Sequence, residues 1–295
     1  MICRGLYVGI SVERKKISVA IPASVVSDVP HLREKTQKIG IIGRAAAIFG
    51  VEEIIIYRDQ PNVDQRCDMK LISTLLNYME TPQYLRKKLF KIKPELRYAG
   101  ILPPLRTPHH PVGGRARDLR VGDYREGVVF SRRSDGVLVD IGVEKPALIP
   151  GVQIPLGRRV TVKIVSLDKQ VLANLVNRQE IPDYWGYSVT VWNNSFGKLV
   201  SEGKFDLKVA TSKHGVPFER CKDQILVRWM KVKTILIAFG SPTRGLYEIA
   251  KLEGLKLDEI VDFVVNMIPD QKTETVRTEE AILASLAVFK AFLGF

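Results

Sequence analysis

The chain of 295 residues predicts an α/β fold interrupted near its middle by a small β-barrel. Strand-like and helix-like segments alternate from Leu6 to about Arg97, the apolar period drops to two between Gly122 and Val176, and α/β alternation resumes after Trp185. Alternating elements build a sheet covered by helices, whereas short strands with no helix between them close on themselves.

In chain order, Lys16 to Ile21 reads as a strand, Leu32 to Phe49 as a helix, Ile54 to Tyr57 as a buried strand and Met69 to Met79 as a second helix. Regular structure stops at Leu102 to Pro111, because each proline removes a donor and pushes its predecessor toward extended geometry. Strands follow over Gly122 to Phe130, Asp135 to Gly142, Gly157 to Val165 and Gln170 to Val176, with Asp135-Gly136 as a hairpin turn. Beyond Trp185 the clearest strands are Ile225 to Val227 and Ile235 to Ala238. The expected boundaries are a first α/β part over 1–105, an inserted barrel over 106–180 and a second α/β part over 181–295.

The last of these elements is a helix after Asn266 to Glu280, with Thr278 as the expected N-cap and Glu279 and Glu280 at its positive end. Ile282, Leu286, Phe289 and Leu293 form one apolar face, but Val288 and Phe292 lie off it. A helix apolar nearly all round must be covered nearly all round, so this one is expected between chain segments or subunits.

The net charge of +13 calls for an acidic partner, with nucleic acid ahead of an anionic membrane surface. No run approaches the roughly 18 apolar residues of a membrane span, and Met1 to Arg4 lacks a signal-peptide pattern, which leads to an expected cytoplasmic location. Cys3, Cys67 and Cys221 are far apart and odd in number, so reduced, unpaired thiols are expected and not a disulfide frame or a zinc knuckle. His109-His110, flanked by prolines without nearby acidic or Cys partners, reads as a plain loop and not as a metal site.

Three segments carry a family resemblance. They are Ile42 to Val51 with its arginine, Ile235 to Leu246 with Phe239-Gly240 and a Gly/Pro loop, and Asn266 to Glu280 running into the terminal helix. In this order they resemble the three motifs of the SPOUT class of RNA methyltransferases, and Arg277 to Ala281 is similar to the Arg-Thr-Glu-Glu-Ala stretch of the archaeal and eukaryotic branch linked to uridine N3 methylation of large-subunit ribosomal RNA. The resemblance implies a trefoil-knotted α/β domain, S-adenosylmethionine as cofactor, ribosomal RNA as partner, and a homodimer that completes the active site. Inside the insert, the order Gly127-Val128-Val129, then Asp135 to Gly142, is similar to the OB folds of single-stranded RNA binders, so an OB-like barrel is expected there. Two positions depart from the wider family: Lys38 stands where many members carry asparagine, and Ser241 to Arg244 lacks the glutamate usual after Phe-Gly. Both point away from ribose chemistry and toward a base.

Transfer of a methyl from a sulfonium needs no metal, only alignment and help in deprotonating the nucleophile. Bare backbone at Gly240 and Gly245 suits close approach to a ligand. The candidate cofactor residues are Phe239, Gly240, Gly245, Asn266, Ile268, Thr273, Thr275 and Thr278; taken singly, their loops read equally as ordinary strand-to-helix turns. Arg44 is the catalytic candidate, the lone charge in an apolar or small run from Gly40 to Phe49. Its guanidinium would favour a uridine anion; it could instead grip a phosphate, or pair structurally with a carboxylate such as Glu52. For RNA capture the candidates are Arg115, Arg117, Arg120, Arg125, Arg132, Arg133, Arg158 and Arg159, with Tyr124 and Phe130 as stacking platforms, and a second basic run over Arg86 to Lys93. The competing function is a non-catalytic RNA-binding or ribosome-assembly factor on the same scaffold.

Overall fold

The computed structural model describes residues 15–294. Cys3, and the start of the first alternation at Leu6, lie outside the described residues.

Two bodies of structure are built from alternating patterns. The first is a six-stranded parallel sheet. Its elements in chain order are β1 (Lys16–Pro22), α1 (Leu32–Ile48), β2 (Glu53–Arg58), α2 (Arg66–Glu80) and α3 (Gln83–Leu89) before the barrel. The barrel comprises β3 (Tyr124–Arg133), β4 (Gly136–Asp140), β5 (Ala147–Pro150), β6 (Arg159–Ser166) and β7 (Val171–Leu175). The chain then returns as β8 (Ser188–Ser195), α4 (Phe196–Glu202), β9 (Leu207–Pro217), α5 (Phe218–Met230), β10 (Thr234–Ala238), α6 (Leu246–Leu252), α7 (Leu257–Ile260), β11 (Phe263–Asn266) and α8 (Thr278–Leu293). The sheet order is β11-β9-β10-β1-β2-β8. The barrel therefore interrupts the crossover between two neighbouring strands, β2 and β8.

Period-two burial explains the layers. In β10, Ile235 and Ile237 face a core shared with α1, α2, α5 and α8, while Leu236 and Ala238 face a second core with α4 and α6. Parallel strands covered on both faces are expected to be apolar on both. The barrel closes as β3-β4-β5-β7-β6 around Val129, Val137, Val139, Ile149, Val162, Ile164 and Ala173. Gly136 serves its hairpin because its φ is +151°, and a Cβ there would stand 2.1 Å from the Ile149 carbonyl oxygen.

Three expectations are corrected. Ile225 to Val227 is not a strand; it lies in α5, where Phe218, Cys221, Ile225 and Trp229 are buried at helical spacing and Val227 is exposed. Strands β5, β8 and β9 have no counterpart in the expected set. Thr278 does not cap α8: Arg277 is the N-cap, Glu280 accepts from its amide at 3.0 Å, and the Thr278 hydroxyl donates instead to the Gly240 carbonyl at 3.1 Å. Helix α8 is also covered on one side only by the described residues. Ile282, Leu286 and Phe289 are fully buried, yet Leu283, Ala287 and Ala291 are exposed.

A buried charge network joins barrel to sheet. Glu80, at the end of α2, accepts from Arg159 Nη1 at 2.6 Å and from Arg178 Nη2 at 2.7 Å. Glu126 accepts from Arg159 Nε at 2.5 Å, Thr161 Oγ1 at 2.6 Å and Trp185 Nε1 at 2.6 Å. Burial pushes the Glu80 carboxyl up, but the His109 hydrogen bond and the two guanidiniums outweigh it and hold the group at about 2.

Candidate active site

Parallel α/β sheets place ligands beyond the carboxyl ends of their strands. Here the ends of β10 and β11 and the middle of β9 open into a single cleft. Leaving β10, Phe239 is buried at 1% exposure, and the fully buried Tyr57 hydroxyl donates to its carbonyl at 2.6 Å. The next carbonyl, of Gly240, takes the Thr278 hydroxyl, so the second and third motifs are tied together. The loop then closes on itself, with Ser241 N donating to Arg244 O at 2.8 Å and Arg244 N to Ser241 Oγ at 3.0 Å. Gly245 ends it as the N-cap of α6.

At the end of β11, Asn266 bridges two segments. Its Nδ2 donates to the Lys213 carbonyl at 3.0 Å, and its Oδ1 accepts from Ile268 N at 3.0 Å. The partner segment belongs to a break in the β9–β11 ladder: Val264 pairs with Ala210, but Val265 pairs with Val216. Thr211 to Gly215 are thereby looped out, and Thr211, Ser212, Lys213 and His214 line the cleft. These residues were not among the sequence candidates; the polar run Thr-Ser-Lys-His-Gly breaking an apolar strand was the available signal.

Of the cofactor candidates, Phe239, Gly240, Gly245, Asn266, Ile268, Thr275 and Thr278 line the cleft. Thr273 does not; its carbonyl accepts from Gln271 Nε2 at 2.9 Å in the loop outside. Helix α8 presents Thr278, Ala281 and Ser285 to the same space. Its first turn is fixed to α1 by Lys38, 4% exposed, whose Nζ lies 2.6 Å from Asp28 Oδ2 and 3.3 Å from Glu279 Oε2.

Arg44 is not among the cleft residues of its own chain. It is half-buried on α1, and its Nη1 donates to the carbonyls of Pro104, at 2.8 Å, and Leu105.

The barrel residues divide into two sets. Arg115, Arg117, Arg120, Arg132, Arg133 and Arg158 are exposed, as is Phe130 with Lys88 6.0 Å from its ring centre. Tyr124 is half-buried, with Lys163 5.5 Å from its ring centre. Arg125 and Arg159 are held inside: Arg125 is 6% exposed and donates to the Gly113 carbonyl, and Arg159 is spent on Glu80 and Glu126. Cys67 and Cys221 are free thiols. Among the described residues no group of three or more His, Cys, Asp or Glu side chains is placed to hold a metal ion, and no helix is long and apolar enough to cross a membrane.

Comparison with known proteins identifies the class of enzyme. Residues 16–289 match the model of a family described as "Putative RNA methyltransferase". An uncharacterized protein of Halobacterium salinarum is 33% identical over 91% of this chain and 96% of its own length. Proteins named 28S rRNA (uridine-N(3))-methyltransferase are similar too. That of Drosophila melanogaster is 32% identical over 93% of this chain and 61% of its own length. That of Homo sapiens is 31% identical, over 93% and 77%. With the family model spanning almost all of the described chain and the cleft built from its distant segments, the protein belongs to this family of RNA methyltransferases.

Proposed function

We propose that the chain methylates N3 of a uridine in large-subunit ribosomal RNA with S-adenosylmethionine as donor, in the cytoplasm, on a trefoil-knotted SPOUT domain that dimerises through α8. The observation that carries this reading is the convergence of the loops after β10 and β11 with the face of α8 on one cleft, lined by seven of the eight cofactor candidates. The cleft also fits an adenosyl ligand. Gly245 has φ −72° and ψ 167°, which any residue adopts, and a Cβ there would meet no protein atom within 4 Å. A bare Cα at that point serves no need of the chain itself and leaves room for a ligand lying against it.

The donor supplies a methyl group already made electrophilic by a positive sulfur. The residues of the chain hold and orient it between the Phe239–Gly245 loop and the Asn266–Thr278 loop, and they exclude water. Uridine N3 must lose its proton, and a guanidinium that cannot deprotonate favours the resulting anion. Arg44 takes that part. It lies on α1, which packs on α8; Ile41 and Ile48 on α1 and Leu283 on α8 are exposed, and a dimer through these apolar residues sets α1 and its Arg44 near the partner subunit. The exposed arginines of the OB-like barrel hold the RNA strand, with Phe130 and Tyr124 stacking on bases. An intact cleft speaks against the non-catalytic alternative.

The test is methyl transfer from labelled S-adenosylmethionine to large-subunit ribosomal RNA, followed by mass-spectrometric mapping. N3-methyluridine is the expected product. A ribose methyl, or no transfer to any RNA, would overturn the reading.

A further inference from the structure

Helix α8 carries a polar group that the described residues leave unused. Ser285 is 1% exposed, lines the cleft, and its Oγ has no hydrogen-bond partner among the described residues. Thr278, Ala281 and Ser285 stand at positions i, i+3 and i+7, so one helical stripe faces the cleft. On that stripe the Thr278 hydroxyl is already committed to Gly240. A buried hydroxyl without a partner is costly, and its persistence in a ligand cleft points to a polar atom of the ligand.

The lining of the cleft says which end of the ligand that atom belongs to. The buried part of the lining is apolar apart from Ser285 and Thr278, with Phe239 at 1% and Met267 at 9% exposure, and Ala281 stands one turn before Ser285 on α8. The exposed charged residues of the cleft are two cations, Lys213 and Arg244, and one carboxylate, Glu248. A donor with a flat, weakly polar purine at one end and a charged amino acid at the other has one favourable orientation in such a gradient: purine inward, carboxylate toward the cations.

We propose that Ser285 binds the purine end of the methyl donor through its hydroxyl, and that Arg244 and Lys213 meet the carboxylate end. This rests on the donor reading above. The experiment measures calorimetric affinity for S-adenosylhomocysteine and for methylthioadenosine, which lacks the amino-acid end, together with thermal melting.

Ser285→Ala weakens both probes by about fivefold, the scale of one neutral hydrogen bond. It raises the melting temperature of the free protein by about 2 °C, because an unsatisfied buried hydroxyl is gone, yet shortens the upward shift that either probe produces. The double variant Lys213→Ala/Arg244→Ala weakens S-adenosylhomocysteine and leaves methylthioadenosine unchanged. Wild-type affinities in Ser285→Ala would mean that the hydroxyl merely turns back onto its own helix, and would overturn the proposal. A Ser285→Ala loss confined to S-adenosylhomocysteine would overturn the orientation. If the wild type binds neither probe, the donor reading itself fails; if the wild type binds and only the variants disagree, that reading stands and this inference falls.

Discussion

Replacing Gly245 by threonine separates the ligand from the turn that holds it. Gly245 is the N-cap of α6, and its carbonyl accepts from Ile249 N at 3.0 Å. Threonine is about as good an N-cap as glycine, and its φ and ψ preferences include the extended values found there. The new Cβ meets nothing within 4 Å, so folding stability should change by no more than about 1 kcal/mol, in either direction. The same three side-chain atoms enter the cleft, where overpacking costs about 1–3 kcal/mol and lost contacts add to it. A loss of about 2.7 kcal/mol is a hundredfold in affinity. Calorimetry with S-adenosylhomocysteine and urea denaturation on the same preparation give both quantities. Unchanged affinity in a stable variant would refute the idea that a ligand lies against Gly245, and a stability loss well beyond 1 kcal/mol would refute the account of the turn.

Arg44→Ala should keep RNA and donor affinity while single-turnover methyl transfer falls on the order of a hundredfold, the scale of one lost charge at a developing anion; normal turnover would remove Arg44 from catalysis. Changing the exposed Arg117, Arg120, Arg132, Arg133 and Arg158 to glutamine should flatten the salt dependence of RNA binding by about one unit of slope per lost phosphate contact, and an unchanged slope in filter binding would make the barrel a spacer. By contrast Arg159→Gln should destabilise the fold by about 3–5 kcal/mol, since it strips a partner from buried Glu80 and Glu126; a denaturation midpoint like wild type would refute that role. Leu283→Glu, on the exposed side of α8 at 43% exposure, should give a monomer by light scattering, whereas a dimer unaffected by this charge would place the interface elsewhere. Burial, with repulsion from His109 second, pushes His110 down to about 4 from its ordinary 6.5; the unfolded chain then binds the extra proton first, so stability is complete above pH 6.5 and declines by about 3 kcal/mol as pH falls to 4. Urea titrations across that range would show a flat profile if His110 were freely solvated.

Local pattern was enough for much of the architecture. The strands at Lys16 and Ile235, the helix from Leu32 and the period-two strands of the barrel are legible because side-chain direction alternates with a fixed local geometry, whatever they pack against. The turns after Ala238 and Asn266 were legible as turns, because Gly, Pro and Asn at strand ends mark one before any neighbour is known, whereas reading them as cofactor loops came from the family resemblance. Ile225 to Val227 was misread because a short apolar run has no period of its own, and only the burial of Phe218 and Trp229 on the same side selects a helix. Arg159 looks like any other basic residue until Glu80, 79 positions away in sequence, is found beneath the barrel, and so does Arg125 until it is seen buried with the Gly113 carbonyl as its acceptor.

The tertiary structure alone decided what the cleft is made of. Lys213 and His214 reach it because β9 and β11 slip register by five residues, and Thr278 leaves its expected cap because the Gly240 carbonyl stands within 3.1 Å. Ser285 is an ordinary helical serine in the sequence and an unsatisfied donor only in the fold. A residue type fixes what a side chain can donate or accept, whereas burial and the distance to groups remote in the chain decide whether that capacity is already used, and both come only from long-range packing.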